Sequence, residues 1–455
     1  MNPLRLRASV LLSTALLILV IWNIRQNSGN PGSPAYQTRD VYQTRDDSRL
    51  HLLSAPNSKF SERKETLDDG ETIIYHKDYT EDLVRENATL FSLVRNGELY
   101  DMLRTIRNFE DRFNQFKHYG WIFANDEKFT ESFQNQVKNL CSGSVTFVHL
   151  PEQMWNYPEF IDRAKADQAR RKMQRQQIKY GGSESYRHMC RFFSGVFYRL
   201  EAMKKYRYFW RVEPDVEFKC SIKYDPFEVM RKENKMYGFT LAPLELHTTV
   251  PTLWNSALEY MAKYPERIAQ DNNFLFLTDD DGKTFNMCHF WSNFEIGDLD
   301  FFRSDKYNHF FNFMDHKGGI YYERWGDAPI HSIAVSILLP HNRLKHFTST
   351  GYLHKPNLQC DGSSEMMIEN ECICSPEDDG SWGDQSCIPK IYDIHKDWQR
   401  PWYAPKERYL PIHDNILRMM EEKRIQLREE GITEEVIEVR MNEYLASIHS
   451  PEEGE

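Results

Sequence analysis

Apolar residues change their period along the chain, and the changes mark out its elements. "LFSLVRN" at 90–96 is a continuous apolar run of strand length, and after it Leu99, Met102, Leu103, Ile106, Phe109 and Phe113 recur at helical spacing. A second strand is predicted at 119–126, "YGWIFAND", then a helix near 131–140 and a third strand at 144–150, "SVTFVHL". Strands alternating with helices imply a parallel sheet with right-handed crossovers, which gathers ligands at the carboxyl ends of its strands. The aromatic run "YRYFWRV" at 206–212 has the composition of a central strand. Pro214 cannot donate to a ladder, so pairing should stop close to Glu213.

The flanks follow other rules. Arg5 and Arg7 precede an apolar run at 8–24, a little short of the roughly 20 residues of a full span. It predicts an uncleaved signal anchor, with residues 1–7 cytosolic and the body of the protein lumenal. Residues 25–86 form the expected stem: most of this stretch is polar, and "YQTRD" repeats at 36–40 and 42–46. The lumenal domain is expected at 87–400 with a disulfide-rich C-terminal lobe at 360–389, and Asn87 opens a glycosylation sequon. Residues 401–455 read as a charged helical tail, two amphipathic helices broken at Gly431.

Charge narrows the partners. With 57 Lys and Arg against 68 Asp and Glu the net charge is -11, which argues against a nucleic-acid surface, and an anionic ligand must meet a local basic cluster. Aromatics at 14% leave faces to spare for sugar stacking. Four of the eight cysteines, Cys360, Cys372, Cys374 and Cys387, lie close together, and in an oxidising lumen two disulfides among them are expected rather than a zinc site.

The chemistry starts at "WRVEPDVEF", 210–218. Glu213 and Asp215 are two apart, so in an extended segment they point the same way and offer oxygens to a hard divalent cation that also binds a diphosphate. "DDDG" at 279–282 is a rival metal site, though Asp-Gly favours a solvated turn.

The long motifs around these residues are more specific. "YGGSESYRHMCRFFSGVFYR", "YFWRVEPDVEF", "YGFTLAPLELHTTVPTLW", "CHFWSNFEIGDLDFFRS" and "GGIYYERWGDAPIHSIAVSILLP" occur in this order, and over about 87–389 the chain closely resembles the fungal α-1,2-mannosyltransferases of the Kre2/Mnt1, or KTR, family. The resemblance implies a GT-A type α/β fold, a Rossmann-like mixed sheet flanked by helices, on a single-pass type II Golgi membrane protein. It implies retaining transfer of mannose from GDP-mannose to the 2-hydroxyl of a mannose-terminated acceptor glycan on a glycoprotein, with Mn²⁺. A mannosylphosphate transferase, another linkage, or a silent lumenal lectin of the same fold are the alternatives.

Carried over by motif, Glu213 is implied as a metal ligand with Asp215 close behind, and His354 of "GYLHKP" as its partner. Glu295 of "SNFEIGDLDF" takes the catalytic place, as nucleophile or as stabiliser of an oxocarbenium-like state. Arg187, Arg191, Arg211 and Arg324 are the candidate cations for the leaving diphosphate. Tyr186, Trp291, Trp325 and Asp327 are expected on the donor and acceptor wall. Phe193 departs from the pattern, standing where many relatives are expected to carry Asn.

Overall fold

The computed structural model describes residues 60–79, 84–360, 363–400 and short stretches between 423 and 440. The apolar run at 8–24 and most of the tail lie outside the described residues. Among the described residues no helix is long and apolar enough to cross a membrane.

The predicted alternation is present. Strands β3 (Ala88–Leu93), β4 (Gly120–Asn125) and β5 (Val145–His149) pair in parallel, separated by helices α1 (Leu99–Arg112) and α2 (Glu131–Leu140). Leu99, Met102, Ile106 and Phe109 of α1 are buried, and Phe109 meets Trp210 edge to face at 5.0 Å. β6 (Tyr208–Val212) lies beside β3, also parallel, and stops one residue before Glu213.

The sheet is mixed, as the family resemblance implied, rather than all parallel as the alternation alone suggested. β9 (Phe294–Asp298) runs antiparallel between β6 and β8 (Tyr237–Phe239), and β10 (Leu344–His346) closes that edge. At the other edge β1 (Phe60–Thr66) and β2 (Thr72–Tyr79) form a hairpin paired to β5, giving nine strands among the described residues. This hairpin occupies part of the expected stem. The charged "SERKE" of β1 reads as unfolded because an edge strand can keep both faces wet.

Helices cover both faces of the sheet. The site-bearing face packs against α3 (Arg163–Arg175), α4 (Glu184–Gly195), α5 (Asp305–Lys317) and α6 (Asp327–Leu338). All but one residue of α6 is buried, as befits a helix apolar nearly all round. A small sheet of β7 (Glu217–Phe218), β11 (Tyr352–His354) and β12 (Asn357–Leu358) carries the "GYLHKP" segment back to the end of β6.

The disulfides correct the expected pairing. Only Cys360–Cys374 closes within the C-terminal cluster; Cys372 bonds Cys220 and Cys387 bonds Cys288, while Cys141 and Cys190 are buried free thiols. The lobe is laid across the domain instead of folding on itself, so its cysteines meet partners 152 and 99 residues away. Gly351, at φ +59, lies against the first bridge, where a Cβ would come 2.7 Å from Cys220 Sγ. The "DDDG" segment is a turn: Asp279 pairs with Lys390, and Asp280 accepts from Thr278 and Thr284. In the tail, Leu427 and Ile437 are buried with Ile432 packed against them.

Peptide mapping under non-reducing conditions should recover these three bridges, with two thiols alkylated only after denaturation. Cys288→Ser with Cys387→Ser opens the 99-residue loop and should cost about 4 kcal/mol of stability. Four alkylated thiols among residues 360–387 would contradict the pairing.

Candidate active site

A cavity of about 1190 Å³ opens at the carboxyl ends of β3, β4 and β6. That is room for a nucleotide sugar and part of a second sugar. Its organising group is Arg211, which points from β6 to the face that carries α6. The side chain is 5% exposed. Arg211 Nε donates to Glu213 Oε1 at 2.5 Å and Nη1 donates to Asp327 Oδ2 at 2.6 Å. Ser292 Oγ donates to the same Asp327 oxygen at 2.7 Å. The Phe193 ring lies under the guanidinium, 3.4 Å from centroid to Cζ, so the departing residue supplies a cation–π contact. Burial works against the charge on Arg211, but Glu213 and Asp327 outweigh it. Burial likewise pushes the Asp327 carboxyl up, and Arg211 and His331 more than reverse this, holding it below its ordinary value.

Glu213 and His354 both line the cavity. Burial lowers the proton affinity of His354, despite the opposing pull of Glu213 and Asp215, and so favours the neutral imidazole that a metal needs. The His354 ring stacks on Trp291 at 5.0 Å and 22°. The Asn293 amide is 2.7 Å from His354 Nδ1, and Asn293 Oδ1 is buried without a hydrogen-bond partner. Turned so that this oxygen accepts from Nδ1–H, the amide leaves the Nε2 lone pair free for a cation. Among the described residues no three His, Cys, Asp or Glu side chains are grouped to hold an ion by themselves. The carboxylate and imidazole fit a mixed shell for Mn²⁺ that ligand oxygens complete. Asp215 does not continue an extended run. It takes φ 61 in the turn after Pro214, and its half-exposed carboxylate reaches Arg104 at 3.3 Å.

Tyr186 sits in the first turn of α4, where Ser183 Oγ accepts from its backbone N–H at 3.1 Å. Its hydroxyl accepts from Arg324 Nη1 at 2.9 Å, and Arg324 Nη2 is 3.2 Å from Glu245 Oε1. Tyr186, Met189 and Phe193 line the cavity from one face of α4. Arg187 and Arg191 are turned away. Arg187 donates to the Ser183 and Glu323 carbonyls, and Arg191 is locked on Asp315 at 2.8 Å. Neither lines the cavity, and neither does Trp325, which is buried on Gly319 with its indole N–H on Glu323.

Glu295 is the main correction. It sits opposite Arg211 in the β6–β9 register and is fully buried, one layer behind the wall. Its Oε1 is 2.5 Å from His331 Nδ1, and His331 Nε2 donates to the Phe193 carbonyl at 3.1 Å. Burial works against charge on His331, but Glu295 outweighs it and raises the imidazole above its ordinary value. His331 follows Asp327 by one turn of α6, so one helix face serves both carboxylate layers. The wall carboxylate that faces the cavity here is Asp327. Sequence reading missed Ser292, Asn293, Glu245 and His331 although each falls inside a quoted motif; the i, i+4 spacing of Asp327 and His331 was the available signal.

Residues 43–396 match the family described as glycolipid 2-alpha-mannosyltransferase. The chain is 43% identical over 347 residues to alpha-1,2 mannosyltransferase KTR1 of Saccharomyces cerevisiae, covering 75% of this chain and 87% of that one. It is 45% identical over 318 residues to glycolipid 2-alpha-mannosyltransferase 1 of Candida albicans, covering 69% and 74%. Among solved structures, the Mn/GDP form of core-mannan synthase A (CmsA/Ktr4) from Aspergillus fumigatus superposes with TM-score 0.65 at 33% identity, covering 74% of this chain and 99% of that one. The mannosyltransferase Ktr4p of S. cerevisiae in complex with GDP gives 0.65 at 34%, covering 72% and 88%.

Because the His331 value is raised in the folded state, its contribution to stability is full below the unfolded value of about 6.5 and fades as pH rises through the folded one. Urea unfolding from pH 6 to 9 should show this decline in the wild type and not in Glu295→Gln. That variant should also lose about 3 kcal/mol at pH 6, where it breaks a buried pair. Equal pH slopes in the two proteins would contradict a charged His331–Glu295 pair.

Proposed function

The chain belongs to the glycolipid 2-alpha-mannosyltransferase family and is a GDP-mannose-dependent α-1,2-mannosyltransferase of GT-A-like fold, and we propose how and where it works. The observation that carries the proposal is that Glu213 and an aromatic-stacked His354 line the same cavity at the end of β6. These two residues would hold Mn²⁺, which would neutralise charge on the leaving diphosphate. Tyr186 and Arg324 form the adjoining wall, and Trp291 positions His354.

Transfer breaks the bond from the anomeric carbon to the phosphate oxygen and forms one to the acceptor 2-hydroxyl oxygen; the hydroxyl proton leaves with the GDP phosphate. Two wall carboxylates at the end of β6, Glu213 and Asp327, are bound to Arg211, which weakens them as nucleophiles. This favours same-face transfer with retained configuration, in which Asp327 steadies positive charge on the sugar ring and accepts bonds from sugar hydroxyls. Glu295 then acts from behind, as the anion that holds His331 and, through the field of the pair, Arg211.

The acceptor is a mannose-terminated glycan on a glycoprotein. The setting is the Golgi lumen, with the apolar run at 8–24 as a type II anchor; the three disulfides and the arginines before the run support that reading.

Incubated with GDP-mannose, Mn²⁺ and a mannoside, the protein should release GDP and yield an α-1,2-linked product by linkage analysis. Glu213→Gln should lower turnover by about a hundredfold or more with the fold intact. A different linkage, or full turnover in the presence of a chelator, would overturn the assignment. Protease added to intact Golgi vesicles should spare the folded domain until detergent is added; digestion without detergent would reverse the orientation.

A further inference from the structure

A leaving diphosphate needs positive charge, and the wall is short of it. Five Lys and Arg side chains line the cavity against seven carboxylates. Arg211 is committed to Glu213 and Asp327, and Arg324 to Glu245. Arg95 donates to the neutral hydroxyl of Ser185, which orients its guanidinium and leaves its charge in place. Two lysines, Lys179 and Lys355, line the cavity as well, and like Arg95 neither is ion-paired to a carboxylate among the described residues.

Lys179 sits on the loop between α3 and α4, and this loop has a fixed shape. Gln177 at φ 54 and Tyr180 at φ 59 both take the left-handed conformation, a cost that ordinary side chains bear only where the surroundings impose it. Gly181 packs against α3, where a Cβ would come 2.7 Å from Met173 Cβ. The Tyr180 ring lies flat on Tyr186 at 4.6 Å and 14°, which docks the loop on the cavity wall. The Lys179 ammonium lies over this Tyr180 ring, 5.7 Å from its centroid, and Lys179 lines the same cavity as Glu213 and His354. Lys355 follows His354 directly, at the turn that Pro356 enters.

We propose that Lys179 is a binding residue for the leaving diphosphate, reaching over the cavity from the α3–α4 loop to supply the charge that the paired arginines cannot. The inference rests on GDP-mannose as donor. Its ammonium would meet the β-phosphate, where charge grows as the glycosidic bond breaks. It would contribute both to nucleotide affinity and to departure of GDP.

Isothermal titration of the full-length protein with GDP and with GMP, in saturating Mn²⁺, separates the possibilities. Lys179→Met should weaken GDP binding about tenfold and GMP binding by less than about twofold, as expected for loss of one charge-assisted contact to the terminal phosphate. Lys179→Arg should recover most of the affinity. Lys355→Met removes the same charge from the turn after His354 and should change GDP binding by less than about threefold. Wild-type GDP affinity in Lys179→Met, or an equal loss in Lys355→Met, would overturn the assignment. Failure of the wild type itself to bind GDP would instead sink the donor reading.

Discussion

One buried guanidinium sets the geometry of this site. Arg211 is the penultimate residue of a central strand, and it enters a layer of nearly dry protein where an unpaired charge is intolerable. Two carboxylates from different parts of the chain resolve that problem, Glu213 just past the strand and Asp327 at the start of α6. Each is thereby fixed in place at the cavity wall. A rigid fork that bonds two acceptors in set directions does what a lysine in the same place could not. Beneath it, His331 and Glu295 form a second pair that shares the helix with Asp327 and the strand register with Arg211. The charge network therefore ties β6, β9 and α6 together at the point where substrate enters.

The same constraint explains why the arginines divide as they do. Arg211 and Arg324 at the cavity are matched by carboxylates, while Arg187 and Arg191 are spent on carbonyls and on Asp315 to hold α4 in place. A net acidic cavity is suited to a cation first and an anionic nucleotide second, because the metal restores the attraction that the wall lacks. The disulfides play a part here too. Cys220–Cys372 and Cys288–Cys387 fasten the C-terminal lobe across the domain and frame the return of the chain that delivers His354 to the end of β6.

Much of the fold was legible because burial on both faces leaves a strong trace: β3, β4, β5 and β6, with α1 and α2 between, follow from apolar runs and helical spacing. The β1–β2 hairpin left no such trace, since its charged side chains belong to an exposed edge. Nothing local in "SNFEIGDLDF" says that β9 inserts antiparallel between β6 and β8. At the site, Glu213, His354, Trp291 and Asp327, drawn from separate motifs, line one cavity. Arg187 and Arg191 do not, because α4 turns them off the face that bears Tyr186, Met189 and Phe193, and Trp325, in the segment before α6, is packed on Gly319 instead. Glu295 shows the deeper limit. Its motif marks it as important, but whether a carboxylate faces substrate or supports the residue in front depends on layers that only three-dimensional packing defines.

The most direct test of the Arg211-centred account is a double-mutant cycle between Glu213→Gln and Asp327→Asn, read as turnover with GDP-mannose at saturating Mn²⁺. Because both carboxylates bond one guanidinium, loss of either should already disorder that group. The double variant should then be no more than about threefold slower than the slower single variant. Effects that multiply across the cycle would mean that the two carboxylates act independently, and would contradict the account.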